Sequence, residues 1–113
     1  MFRQRLSLIA VALIVFSCGK SLPELENINL KAWQNDKNGC ADYRSGNIES
    51  IRNQKEKLLA LKESQIIELL GRPDRNELYK RNQKFFFYSL ERGPACDSLL
   101  KEGSRLSIRF NAM

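Results

Sequence analysis

From Leu6 to Phe16 the chain is uncharged and almost wholly apolar, and no later apolar run is as long. Eleven residues is about half of the roughly 20 that a membrane-crossing helix needs, so this run is too short for a span. Beyond it the apolar positions become periodic. Leu30 and Trp33 lie three apart and predict a short helix from Leu30 to Gln34, stopped by Asn35-Asp36-Lys37-Asn38-Gly39. After Ser45-Gly46, Asn47 is placed to cap a second helix running to about Leu59, with Ile48, Ile51, Leu58 and Leu59 on one face and Glu49, Arg52, Gln54, Glu56 and Lys57 on the other. A break at Ala60 to Lys62 precedes a third, with Ile66, Leu69 and Leu70 on one face; Gly71 and Pro73 end it.

The period then changes from about 3.6 to two. Glu77 to Arg81, a turn at Asn82-Gln83, and Lys84 to Leu90 read as a hairpin in which Phe86, Tyr88 and Leu90 share one face and Phe85 and Phe87 the other. Glu91 to Gly103 is a loop, and Arg105 to Asn111 alternates cleanly, Leu106, Ile108 and Phe110 inward against Ser107, Arg109 and Asn111 outward. The predicted fold is α+β, with two or three short N-terminal helices packed on a small antiparallel sheet of about three strands. Aromatics on both faces suit a strand central to a small core. The alternative is that one face is an exposed partner patch of Phe85 and Phe87, rimmed by Tyr79, Arg81 and Arg109.

Charge changes the meaning of the first run. Arg3 and Arg5 precede it, and Val15-Phe16-Ser17 leads directly to Cys18. A positive start, a short apolar core and a small residue at its end make a secretory signal peptide. The ending resembles the lipobox of bacterial lipoproteins, in which the cysteine is lipidated and becomes the new N-terminus; Val15 and Ser17 fit, and Phe16 is bulkier than usual. Ordinary cleavage near Ser17-Cys18-Gly19 and an uncleaved anchor are the alternatives. The expected organisation is a signal peptide over 1–17, a lipidated tether over 18–29 and a folded domain over 30–113. More than one acyl chain on Cys18 would hold the domain stably at a membrane. Gly19 is not the Asp that retains some lipoproteins at the inner membrane, so the expected place is the outer membrane, facing the periplasm.

The formal net charge is +6, and removal of Arg3 and Arg5 leaves +4 with acidic residues interspersed throughout. This excludes a nucleic-acid tract and suits a solvated surface, an anionic headgroup or an acidic protein face. Besides Cys18 there are Cys40 and Cys96, and an exported pair can form a disulfide closing 57 residues, counted inclusively; two unpaired thiols are the alternative. Histidine is absent. Ser-His-Asp and Cys-His catalysis are therefore excluded, two cysteines cannot supply a usual zinc shell, and no cofactor is indicated. Asp36 and Asp42 are the only carboxylate pair to single out, and their setting is that of turn and surface positions.

The segment Leu61-Lys-Glu-Ser-Gln-Ile-Ile-Glu-Leu-Leu-Gly-Arg-Pro-Asp74 resembles the signature of the SmpA/OmlA/BamE-like outer-membrane lipoproteins. Leu61, Gln65, Ile66, Leu69, Leu70, Gly71, Pro73 and Asp74 occupy matching positions, while Ala60 stands for the family's glycine and Lys62 for its capping Thr or Ser. The resemblance covers roughly 47–110 and implies two helices followed by an antiparallel sheet, an architecture also similar to β-lactamase inhibitory proteins. It implies a non-enzymatic lipoprotein with a protein partner in the cell envelope, serving outer-membrane protein assembly or envelope integrity. A tethered inhibitor or ligand-binding module, or a structural envelope protein, is the other implied role.

Overall fold

The computed structural model describes residues 22–111. Asn29 opens α1 (Leu30–Asn35): its side-chain oxygen accepts the Ala32 N–H at 3.1 Å, satisfying one of the donors that a helix start leaves free. Three residues on, Trp33 is fully buried. The second helix, α2, is Tyr43–Arg52, five residues earlier at its start than a cap at Asn47 predicts and ending several residues sooner. The start moves because Asp36 accepts the N–H groups of Ala41 (2.6 Å) and Arg44 (2.9 Å), so a carboxylate from the preceding turn serves as the cap. Its end moves because the chain passes into a single 3-10 turn, Lys55–Leu58. Leu59, expected on the buried face, is 79% exposed in consequence.

Helix α3 is Glu63–Leu70, where periodicity places it. Lys62 has no capping oxygen, and instead Gln65 Oε1 reaches back to accept the Lys62 N–H at 2.8 Å. Gly71 ends the helix at φ 83°, where a Cβ would lie 2.9 Å from Gln34 Cγ. Gln34 in turn donates to the carbonyls of Glu68 and Leu69, two of the acceptors a helix end leaves open.

Three antiparallel strands follow in the order β1-β2-β3: β1 Arg75–Tyr79, β2 Gln83–Ser89 and β3 Arg105–Asn111. The molecule is thus α+β, helices packed on one face of a small sheet. Strand β1 begins two residues before the expected Glu77 because the Asp74 N–H already bonds Phe87 O at 2.9 Å. The turn accordingly falls at Lys80–Asn82, with Arg81 and Asn82 at positive φ. Trp33, Ile51, Ile66, Leu69, Leu70, Phe86, Tyr88 and Leu90 form the core.

The segment expected to be a tether is partly laid onto this domain. Leu22, Leu25 and Ile28 pack against the core. The Glu26 N–H donates to Gln54 Oε1 and Gln54 Nε2 to Glu26 O, both at 2.7 Å; Tyr43 O–H accepts the Asn29 N–H at the same distance. With its backbone groups satisfied by side chains 14 to 28 residues away, 22–29 belongs to the fold without being helical. Cys40 and Cys96 are joined as a disulfide, tying the turn after α1 to the loop before β3.

Candidate functional site

Three clusters of chemistry emerge from this arrangement. The first is interior. Arg44 lies beneath α2 with its Nη1 2.6 Å from Asp74 Oδ2, and the two side chains are 1% and 5% exposed. Arg44 also donates to Trp33 O and Ser89 O, and its guanidinium sits 5.4 and 5.5 Å from the Trp33 and Tyr88 rings. Asp74 accepts, besides Arg44, the N–H groups of Asn38 and Ser89. Burial pushes the Tyr88 phenol, which donates to Gly71 O at 2.7 Å, far above its ordinary value. Asp36 is engaged by its two N–H donors, whereas Asp42 is exposed and pairs with Arg92 at 3.3 Å. The carboxylates are divided between separate structural duties.

The residues of the Leu61–Asp74 signature go almost entirely inward. Ile66, Leu69 and Leu70 are core, Leu61 packs against it, Gln65 ties the helix start, Gly71 ends the helix, half-buried Pro73 follows, and Asp74 holds Arg44. Cys18 lies outside the described residues.

The second cluster is the outer face of the sheet. Register places Glu77 opposite Phe85 and Phe85 opposite Arg109, so Tyr79, Phe85, Phe87 and Arg109 share this face; Arg81 does not, because it sits in the turn. The Tyr79 and Phe85 rings meet edge-on at 4.8 Å, and Phe85 stacks on Phe87 at 5.9 Å. Phe87 is only 4% exposed. The Arg105 guanidinium lies 3.9 Å from its ring, and Gly93, Pro94 and Ala95 of the disulfide-tied loop line a small cavity with it. What remains open is the Tyr79–Phe85 end. There the phenol donates to Glu77 at 2.9 Å; this bond and then the nearby Arg75 hold the Glu77 carboxyl below its ordinary range, and the same bond raises Tyr79.

The third cluster lies on the helix side. Leu106, Ile108 and Phe110 face the helices as the alternation predicts, yet all three remain partly exposed. Helix α2 stops at Arg52 and the chain through Lys62 runs alongside, leaving a groove of about 1060 Å³ between Ile51, Leu58 and Leu61 on one wall and the three β3 side chains on the other. Its rim carries Arg52, Lys55, Lys62, Lys84 and Arg109 against one carboxylate, Glu63, which pairs with Lys84 at 2.8 Å. The sequence pattern places Ile51 and Leu58 on a buried helix face and Leu106, Ile108 and Phe110 inward; Ile51 is core, and the other four pack against it while staying partly open. The only signal of an opening was Arg52-Asn53-Gln54-Lys55-Glu56-Lys57, six polar residues in a row that a fully covered helix face would not contain. Compared with known proteins, the chain matches no family model, no curated protein and no solved structure.

Proposed function

We propose that the chain is a lipid-anchored envelope protein that acts by binding, as an accessory in outer-membrane protein assembly or envelope integrity. The observation that carries this reading is the Met1–Cys18 stretch, in which Arg3 and Arg5, an eleven-residue apolar run and a small residue lead into Cys18. The fold adds a geometric consequence. Packed residues begin at Leu22, so a lipid on Cys18 is separated from the domain by Gly19, Lys20 and Ser21, a reach of at most about 14 Å. The domain then sits close to the membrane surface. The role in assembly rests on the resemblance of Leu61–Asp74 to the SmpA/OmlA/BamE-like signature.

Replacing Cys18 by Ala should abolish fatty-acid labelling and release the domain from membranes; unchanged labelling would overturn the anchor. Crosslinking in intact membranes followed by affinity isolation should recover components of β-barrel assembly. Recovery of a soluble hydrolase alone would favour the tethered-inhibitor reading instead.

A further inference from the structure

The geometry points to β3 as a docking edge: we infer that an extended, acidic segment of a partner protein adds to the sheet there as a fourth strand, with alternate apolar side chains entering the groove. This rests on the reading of the chain as a binding domain, but not on its anchor.

The edge comes first. Among the described residues the strand order leaves one side of β3 unpaired, while its other side pairs with β2 in unbroken register from Gln83↔Asn111 to Ser89↔Arg105. Natural proteins blunt such edges with proline, a bulge or an inward-pointing charge. Strand β3 has none of these three; its charges, Arg105 and Arg109, stand at outward positions, and its inward positions are Leu106, Ile108 and Phe110. The opposite edge, β1, is two residues shorter. A strand laid beside β3 would continue the sheet, and every second side chain would fall between β3 and the 52–62 wall, where the groove lies.

Charge selects the occupant. Among the described residues no carboxylate lies within ion-pair distance of Lys55, Lys62 or Arg109, whereas the groove's Glu63 is paired with Lys84. An incoming strand carrying glutamate or aspartate at its outward positions meets Arg105 and Arg109, which share the outer face of β3 and pair with no carboxylate among the described residues. A second copy of this chain would bring the same cations against themselves, and pairing centred on Ser107 would set Arg105 directly opposite Arg109 of the other copy.

The test uses the chain as isolated from its own cells in mild non-ionic detergent and a fluorescent ten-residue peptide alternating valine with glutamate. Fluorescence anisotropy at low salt should show saturable binding that weakens at least tenfold when lysine replaces glutamate in the peptide. Arg109→Glu, an exposed substitution on the outward face of β3, should weaken it by a similar factor. Strand addition uses the backbone groups of every second residue. N-methylation of one alternate set of peptide amides should therefore weaken binding at least tenfold, and methylation of the other set should leave it unchanged. Equal binding of the two methylated peptides overturns strand addition. So does absence of binding by a protein whose near-ultraviolet circular dichroism is intact, or sedimentation as a dimer joined through 105–111. None of these results alters labelling through Cys18, so the docking edge and the anchor fail separately.

Discussion

Asp74→Asn tests the interior ion pair most directly, because it removes a charge while keeping the shape. Arg44 and Asp74 are both almost wholly buried at 2.6 Å, and breaking such a pair from one side costs about 3–5 kcal/mol because the remaining charge is left without its partner in a low-dielectric interior. The asparagine amide also has to face a donor: the positions around Asp74 are occupied by the Asn38 and Ser89 N–H groups and by the guanidinium. Against a total stability of about 5–15 kcal/mol, the loss is a large share. At about 4–8 °C per kcal/mol for a domain of this size, the melting temperature should fall by at least about 12 °C. Urea unfolding followed by circular dichroism, with the disulfide intact, measures the change. Arg44→Met should cost a similar amount, since it leaves the Asp74 carboxylate buried with only its two backbone donors. In the double variant Arg44→Met with Asp74→Asn neither charge remains, and the loss should be smaller than the sum of the singles by about 2 kcal/mol or more. A loss below about 1 kcal/mol for Asp74→Asn, or additivity within about 0.5 kcal/mol, would refute the view that the pair organises the core; Trp33 O, Ser89 O and the two aromatic rings would then suffice for Arg44.

Gly71→Ala should destabilise by about 1–3 kcal/mol, since alanine is strained at φ 83° and its Cβ meets Gln34, whereas Gly46→Ala, within α2 with nothing within 4 Å, should stabilise by about 0.4–1 kcal/mol; urea midpoints of the two variants should move in opposite directions. Reducing Cys40–Cys96 should cost about 4 kcal/mol for a loop spanning 56 positions, and hydrogen exchange should quicken around Phe87 as the loop carrying Cys96 is released. Tyr88 has its folded value raised, so its contribution is complete below the unfolded value near 10 and is lost as the pH rises from there towards the folded value. Alkaline titration should accordingly show Tyr88 ionising only as the fold opens, read as phenolate absorbance coincident with loss of circular dichroism; ionisation ahead of unfolding would contradict the burial.

What the sequence made legible are elements determined by their own residues. The alternation through Arg105–Asn111 and the hairpin faces of Phe86 and Phe87 follow from the two-residue period of a pleated strand, and α3 announces its end with Gly71 and Pro73. The misplaced features each depend on a distant group. Helix α2 starts at Tyr43 because Asp36 caps it, so the local candidate Asn47 is instead inside the helix, donating to Tyr43 O. The 22–29 segment looked like a linker because nothing within it satisfies its backbone; Gln54, Tyr43 and Ser50 do. Arg44 reads as a surface cation in any local window and is fully buried, since its partners lie 11, 30 and 45 residues away.

The signature residues and the groove residues therefore answer to different physical demands. Ile66, Leu69, Leu70, Gly71 and Asp74 are held by packing, a helix end and an ion pair, so a motif built from them constrains architecture and says little about what is bound. Lys55, Lys62, Ile108 and Arg109 line the opening, and neither helix formation nor the core requires the three cations. Changes in the signature should move stability and change binding only through the folded fraction. Charge changes at the rim should move binding at constant stability, because exposed substitutions usually shift folding by less than about 0.5 kcal/mol. Measuring both quantities on Asp74→Asn and on Arg109→Glu separates the two demands, and equal effects of Arg109→Glu on folding and on binding would show that this edge is part of the core.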